Sequence, residues 1–251
     1  MDLGLRDRVY VVTGGSRGLG YATAEALVAE GARVVISARE EDAVARAAAA
    51  LGPAAVGVAA DNAGPDTAQR LAEEAIERYG RLDGGLISVG GPPAGTVAQA
   101  TDDQWRAAFE SVFLGAVRLA RVLAARLGEG GSIAFLLSSS VRSPIPSLAI
   151  SNGLRPGLAG VAKSLADELG PAGIRVNGLL PGKMDTDRVR WLDGRSADPA
   201  ATRAANEQEI PLRRYGDPAE LGRVAAFLLS PAASYVTGSM IRVDGGAIRS
   251  I

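Results

Sequence analysis

Short β-branched runs alternate with longer alanine-rich segments along nearly the whole chain, and this alternation constrains the fold more than any other feature. The runs at 8–13 (RVYVVT), 33–37 (RVVIS), 54–60 (AAVGVAA), 85–89 (GLISV), 132–138 (SIAFLLS), 174–180 (IRVNGLL) and 239–244 (SMIRVD) read as strands. They are apolar throughout, which suits strands covered on both faces. Between them, segments at 18–30, 66–79, 102–127, 157–169 and 217–230 carry apolar residues at helical spacing. Strand–helix–strand repetition predicts right-handed crossovers and a parallel sheet. A chain of 251 residues with 47% hydrophobic content can fill one such core. The expected class is α/β, a single domain over 1–251 with a doubly wound sheet of about seven parallel strands and helices on both faces.

One segment breaks the alternation. Residues 184–215 (MDTDRVRWLDGRSADPAATRAANEQEIPLRRY) form a long polar stretch after the sixth strand. Long segments of this kind in compact domains are often functional, so this one reads as a substrate lid, with Met184 and Trp191 as its apolar contacts.

Composition removes whole classes of chemistry. Lys plus Arg is 27 and Asp plus Glu 28, so no basic excess points to nucleic acid or to a membrane surface. No apolar run approaches the roughly 20 residues of a membrane span. Arg6, Asp7 and Arg8 lead directly into the first strand without a charged-then-apolar leader. The expectation is a cytoplasmic protein with a small-molecule substrate. There are no cysteines and no histidines. Disulfides, thiol nucleophiles, the Ser-His-Asp arrangement and nearly every zinc hydrolase are therefore excluded, and no metal site is expected. The remaining chemistry belongs to Ser, Tyr, Lys, Arg, carboxylates or a bound cofactor.

The turn Thr13-Gly14-Gly15-Ser16-Arg17-Gly18-Leu19-Gly20 follows the first strand and opens the first helix. In that context Gly14 permits the tight turn, while Gly18 and Gly20 let a pyrophosphate approach the backbone and the helix pack on the sheet. Ser16 and Leu19 complete the turn, and the helix N-terminus supplies free N–H groups. This is a Rossmann-like arrangement. A carboxylate ending the second strand would mark NAD, but the run there is Ile36-Ser37-Ala38-Arg39. Arg17 and Arg39 converging near the ribose would hold a 2′-phosphate, which favours NADP(H) over NAD(H).

At these residues the chain resembles the short-chain dehydrogenase/reductase family, in the branch similar to β-ketoacyl-acyl-carrier-protein reductases. The resemblance runs from Arg8 to Gly246. The glycine turn matches the family's TGxxxGxG. It implies that Asp61, with Asn62 beside it, contacts the adenine, and that Pro181-Gly182 and Thr186 (PGxxxT) line the nicotinamide. The family's NNAG appears as Ser88-Val89-Gly90-Gly91, followed by Pro92-Pro93, and these residues are implied to contact the cofactor. "YVTGSMIRVDGG" (235–246) fits the C-terminal strand that in the family helps build a tetramer, so a homotetramer is implied.

The departures gather at the catalytic centre. The family's serine is kept at Ser138, but its asparagine falls on Phe113, and its Tyr-x-x-x-Lys pair becomes Ser151 and Arg155. The chain resembles an atypical subgroup with this replacement around a GGPP motif. A serine hydroxyl is a far weaker acid than a phenol and much shorter. Arg155 keeps its proton but can hydrogen-bond the nicotinamide ribose and place positive charge beside a carbonyl. Lys183, after Pro181-Gly182, is a candidate substitute acid if desolvated, unless Asp185 pairs with it. Tyr10, Tyr21, Tyr79, Tyr215 and Tyr235 lie where they should not reach the nicotinamide. Because Gly153, Pro156 and Gly157 break helices, regular helix is expected to begin between Gly153 and Pro156, leaving Ser151 at or before an N-cap.

Two readings of function follow. One is an NADP(H)-dependent oxidoreductase acting on a carbonyl or alcohol through an altered catalytic tetrad. The other is an NADP(H)-binding pseudoenzyme, a sensor or an inactive partner subunit. A lyase- or isomerase-like use of the pocket is a third, weaker one.

Overall fold

Seven of the apolar runs become seven strands, and the computed structural model, which describes residues 2–250, joins them in one parallel sheet. The strands are β1 (Val9–Thr13), β2 (Arg33–Ala38), β3 (Ala55–Ala59), β4 (Gly84–Ser88), β5 (Ser132–Leu136), β6 (Arg175–Pro181) and β7 (Met240–Val243). Their order is β3-β2-β1-β4-β5-β6-β7. β1 therefore lies between β2 and β4, and the winding direction reverses there. Open parallel sheets bind ligands outside the carboxyl ends of the strands at such a reversal.

Successive side chains of β1 point to opposite faces and enter separate cores. Val9 and Val11 pack with α3 (Thr67–Tyr79), α5 (Gly115–Ala124) and α6 (Ala149–Leu169). Tyr10 and Val12 pack with α1 (Gly18–Ala29), α2 (Glu41–Leu51) and α9 (Pro218–Leu229). Both faces of the sheet are covered, which explains why the strands are apolar without alternation. No helix among the described residues is long and apolar enough to cross a membrane.

Three expectations are corrected. The helical segment expected at 102–127 is divided: α4 (Asp102–Ala108) runs into a π-helical stretch, Phe109–Leu114, before α5. The segment 184–215 is not a continuous loop. It folds into α7 (Asp187–Asp193), capped by Thr186, and α8 (Pro199–Glu209), capped by Asp198. Finally, α6 begins at Ala149, before all three helix breakers, and Pro156 lies inside it. Long-range bonds fix this start. Gly95 N donates to Ser147 O at 2.7 Å and Ala149 N donates to Gly95 O at 3.1 Å. The first turn is thereby anchored from outside, and the proline removes only one backbone bond from a helix already held in place.

Candidate functional site

The Thr13–Gly20 turn sits at the reversal point of the sheet. Gly14 and Gly18 have φ of 61° and 58°, left-handed values that favour glycine. A Cβ on Gly20 would stand 2.3 Å from the Gly14 carbonyl oxygen, so the turn closes too tightly for any side chain there. α1 opens with no side-chain cap and no acidic residue in its first turn. Its unclaimed N–H groups and positive end face the same cradle.

The rim of the cradle is tied by polar bonds. Thr13 Oγ1 donates to Ser88 O at 2.7 Å and accepts from Ser88 N at 2.9 Å, locking the ends of β1 and β4 together. Asn62 Nδ2 donates to the same Ser88 carbonyl at 3.3 Å. Asp61 Oδ1 accepts from Ala63 N at 3.0 Å, which orients the carboxylate at the end of β3. Val89 is buried, whereas Gly90 is exposed, with nothing within 4 Å of where its Cβ would be. Ser16 and Leu19 are half-buried in the turn. Arg17 and Arg39 are exposed, and among the described residues neither has a carboxylate within 4.0 Å.

Pro181 ends β6, and Gly182 N donates to Val243 O at 3.0 Å. Thr186 spends its hydroxyl on α7, accepting from Val189 N at 3.4 Å, and its methyl lies 3.8 Å from the Cβ position of Gly18. The start of α7 thus borders the glycine turn. A glycine cradle at an uncapped helix N-terminus with no acidic residue in its first turn fits a dinucleotide.

The second half of the site lies at the end of β5. Arg155 is 7% exposed, and its Nη1 donates to both Leu136 O and Leu137 O at 3.0 Å. Those carbonyls immediately precede Ser138, whose Oγ accepts from Ser140 N at 3.1 Å. Ser140 Oγ is buried without a hydrogen-bond partner. Ser151 stands one turn before Arg155 on the same face of α6, and it too is buried. It occupies the first turn rather than an N-cap, which corrects the sequence expectation. Burial, and then the nearby Arg188 charge, pull the Arg155 guanidinium down to about 10.

Phe113 does not face this group as a polar anchor. It packs against α6 where a Cβ on Gly157 would lie 2.8 Å from its ring, and it stacks on Phe109 at 5.2 Å between centroids. Trp105 covers Gly153 in the same way, 2.8 Å from that Cβ position. Phe109 and Phe113 both lie in the π-helical stretch, and Trp105 in the helix before it.

Lys183 is exposed, and its Nζ lies 5.9 Å from the Tyr215 ring centroid. Desolvation lowers its pKa, opposed by Asp193 and Glu209. Asp185 does not pair with it, because Arg190 (2.9 Å) and Arg203 (3.3 Å) hold that carboxylate. Tyr215 is buried; its hydroxyl donates to Asp193 Oδ2 at 2.9 Å and accepts from Asn206 Nδ2 at 2.8 Å. Burial first, then the Asp193 contact, push it up to about 12. Among the described residues no tyrosine hydroxyl is hydrogen-bonded to Ser138, Ser151 or Arg155.

Sequence reasoning missed Arg188, Asn152 and Trp105. Arg188 carried one readable signal: Trp191 and Leu192, not acids, stand three and four residues ahead of it on its helix. Asn152 and Trp105 act through distant partners and left none.

A family profile described as enoyl-(acyl carrier protein) reductase matches residues 14–247. An uncharacterized oxidoreductase of Methylorubrum extorquens is 35% identical over 246 residues, covering 96% of this chain and 98% of that one. The structure of L-sorbose reductase from Gluconobacter frateurii, complexed with NADPH and L-sorbose, superposes with a TM-score of 0.94 at 31% identity over 100% of both chains. An apo short-chain oxidoreductase from Pseudomonas aeruginosa PAO1, described as containing an atypical catalytic center, superposes with a TM-score of 0.91 at 30% identity, again over 100% of both.

Proposed function

Because this chain belongs to the short-chain dehydrogenase/reductase family of oxidoreductases, we propose that it is an NADP(H)-dependent reductase or dehydrogenase that works on a small carbonyl or alcohol without a phenol acid. The observation that carries this reading is the buried Arg155, fixed beside Ser138 and one turn from Ser151, next to an open phosphate cradle. The NADPH held by the L-sorbose reductase and the atypical center of the Pseudomonas protein support it.

Gly14, Ser16, Gly18, Leu19 and Gly20 would hold the pyrophosphate, with Arg17 and Arg39 on a ribose 2′-phosphate, Asp61 and Asn62 at the adenine, and Ser88 to Gly90, Pro181, Gly182 and Thr186 along the rest. When bound, the nicotinamide supplies or accepts the hydride. Ser138 and Ser151 offer hydroxyls to the substrate oxygen. Arg155 keeps a positive charge beside it in a site of low dielectric, where fixed charge stabilises a developing oxyanion strongly. A serine hydroxyl and the product alcohol are acids of similar strength, so Ser151 can pass a proton to a fully formed alkoxide, and is reprotonated from solvent afterwards, but gives little assistance earlier. Turnover is therefore slow compared with a phenol-equipped site. The helices at 187–209 close over substrate as a lid, and Tyr235 beside edge strand β7 fits a homotetramer, which light scattering would check.

The test separates binding from turnover. Calorimetry should give tighter binding for NADPH than for NADH, with the gap removed in the Arg17→Ala, Arg39→Ala double variant. A broad carbonyl panel should then show NADPH oxidation that Arg155→Met reduces by roughly 100-fold. NADPH binding with no turnover on any carbonyl would favour the pseudoenzyme reading, and absence of dinucleotide binding would remove both.

A further inference from the structure

Two arginines from separate elements stand at the carboxyl ends of β4 and β5, Arg188 bonded to the loop after β4 and Arg155 to the end of β5, and among the described residues no acid pairs with either. Arg155, on α6, is 7% exposed and bonded only to neutral carbonyls. Arg188, on α7, donates from Nη2 to Pro92 O at 2.9 Å. Its guanidinium lies 4.6 Å over the Trp191 ring and against Gly91, where a Cβ would stand 3.2 Å from Nε. Arg195 covers the Trp191 ring as well, at 5.2 Å. Among the described residues none of these three cations has a carboxylate within 4.0 Å. The same lid does pair its other arginines: Arg190 meets Asp185 and Asp187, and Arg203 meets Asp185 and Glu207.

A buried cation without a counter-ion is costly, and a second cation beside it adds repulsion. Burial, with Arg195 adding repulsion, lowers the Arg188 pKa, and Arg188 in turn bears on Arg155. The missing negative charge is one that a ligand can bring. A planar guanidinium offers paired N–H donors suited to a carboxylate or a phosphate ester.

We propose that Arg188 is the seat for an anionic group on the substrate, so that the protein acts on a carbonyl compound or alcohol bearing a carboxylate or phosphate ester. This rests on the oxidoreductase reading above. The cofactor pyrophosphate is the other possible source of the anion, but it has its own donors at the start of α1. Arg188 instead touches Gly91 and Pro92, beyond that cradle, and its charge bears on the guanidinium that adjoins Ser138. Gly91 then has a reason: a Cβ there would crowd the Arg188 guanidinium.

Calorimetric titration of acetoacetate, oxalate and inorganic phosphate into wild type saturated with NADP+ tests this, with methyl acetoacetate as the neutral match. Acetoacetate or another of these anions should bind, and the ester should bind about tenfold more weakly than acetoacetate or not at all. Arg188→Gln should weaken anion binding about tenfold, Arg188→Lys less, with NADP+ affinity changed less than about threefold. The proposal is overturned if wild type binds none of the anions, or if Arg188→Gln binds them as wild type does. It is also overturned if Arg188→Gln loses about tenfold in NADP+ affinity, which would give the residue to the pyrophosphate. Should Arg188→Gln fail to fold, the wild-type titrations and Arg188→Lys decide. Should wild type bind no NADP+, the oxidoreductase reading fails by itself, and the same titrations into cofactor-free protein still decide this one.

Discussion

Asn152 holds Ile145 by both ends of its amide: Nδ2 donates to Ile145 O at 2.8 Å, and Oδ1 accepts from Ile145 N at 3.0 Å. This clamp joins the first turn of α6 to the loop before it, and Ser151 is its immediate neighbour. Asn152→Ala removes two part-buried hydrogen bonds, for a loss of about 1–3 kcal/mol. At about 2–4 °C per kcal/mol for a domain of this size, the melting temperature should fall by several degrees. Amide exchange should quicken most at 143–148. A melt unchanged from wild type would show that the clamp is incidental and that the bonds to Gly95 alone fix the helix start.

The segment of α7 and α8, proposed above as a lid, is held by a buried polar knot at Tyr215. Its ring lies 4.5 Å from the Arg203 guanidinium carbon, and its hydroxyl serves Asp193 and Asn206. Tyr215→Phe leaves the buried Asp193 carboxylate with only Asn206, at 3.3 Å. An under-satisfied buried acceptor costs about 1–3 kcal/mol. Local opening rather than global unfolding should take most of that cost. Exchange by mass spectrometry should therefore rise about tenfold or more over 187–209, with little change in the sheet. Equal changes in both regions would mean that the lid does not open as its own unit.

At the start of α9, Arg214 makes a two-pronged pair with Glu220, 2.7 Å on each prong, and Asp217 N donates to the same carboxylate. Arg214 first, then that backbone donor, hold the Glu220 carboxyl at about 2, below its ordinary 4.5. A depressed carboxyl contributes its full stability above the unfolded value and loses it as pH falls toward the folded one. The window is therefore about pH 4.5 down to about pH 2. Because both groups are substantially exposed, the effect is modest. Glu220→Gln keeps the cap acceptor without the charge. Its urea midpoint should fall less steeply across that window than the wild-type midpoint does, and parallel curves would count against the pair.

The sheet and the phosphate cradle were legible because their causes are local. Continuous apolar runs mark strands covered on both sides, and Gly14, Gly18 and Gly20 answer steric demands within one turn. The start of α6 was not legible. Gly153, Pro156 and Gly157 read locally as a helix boundary, but bonds to Gly95 and Ile145 pull the helix start back to Ala149. The pairing of Asp185 with Arg190 and Arg203, rather than with Lys183, depends on how α7 and α8 fold back on each other. The bond from Arg188 to Pro92 likewise appears only once α7 lies over the loop after β4.

Two glycines of α6 should respond to alanine with opposite signs. At Gly160 an added Cβ meets nothing within 4 Å. Gly160→Ala should therefore stabilise, by about 0.5–1 kcal/mol, through helix propensity and a less flexible unfolded chain. At Gly157 the same Cβ would lie 2.8 Å from the Phe113 ring. Overpacking of about 1–3 kcal/mol then meets a propensity gain of about 1 kcal/mol, so Gly157→Ala should be neutral to destabilising. In the Phe113→Leu background the clash is relieved, and alanine at 157 should become favourable. A double-mutant cycle read by urea unfolding gives the coupling directly, and it should exceed about 0.5 kcal/mol in favour of the pair. If both glycines respond alike, or the cycle shows no coupling, then the aromatic wall does not press on α6, and the small residues beside Ser151 and Arg155 need another cause.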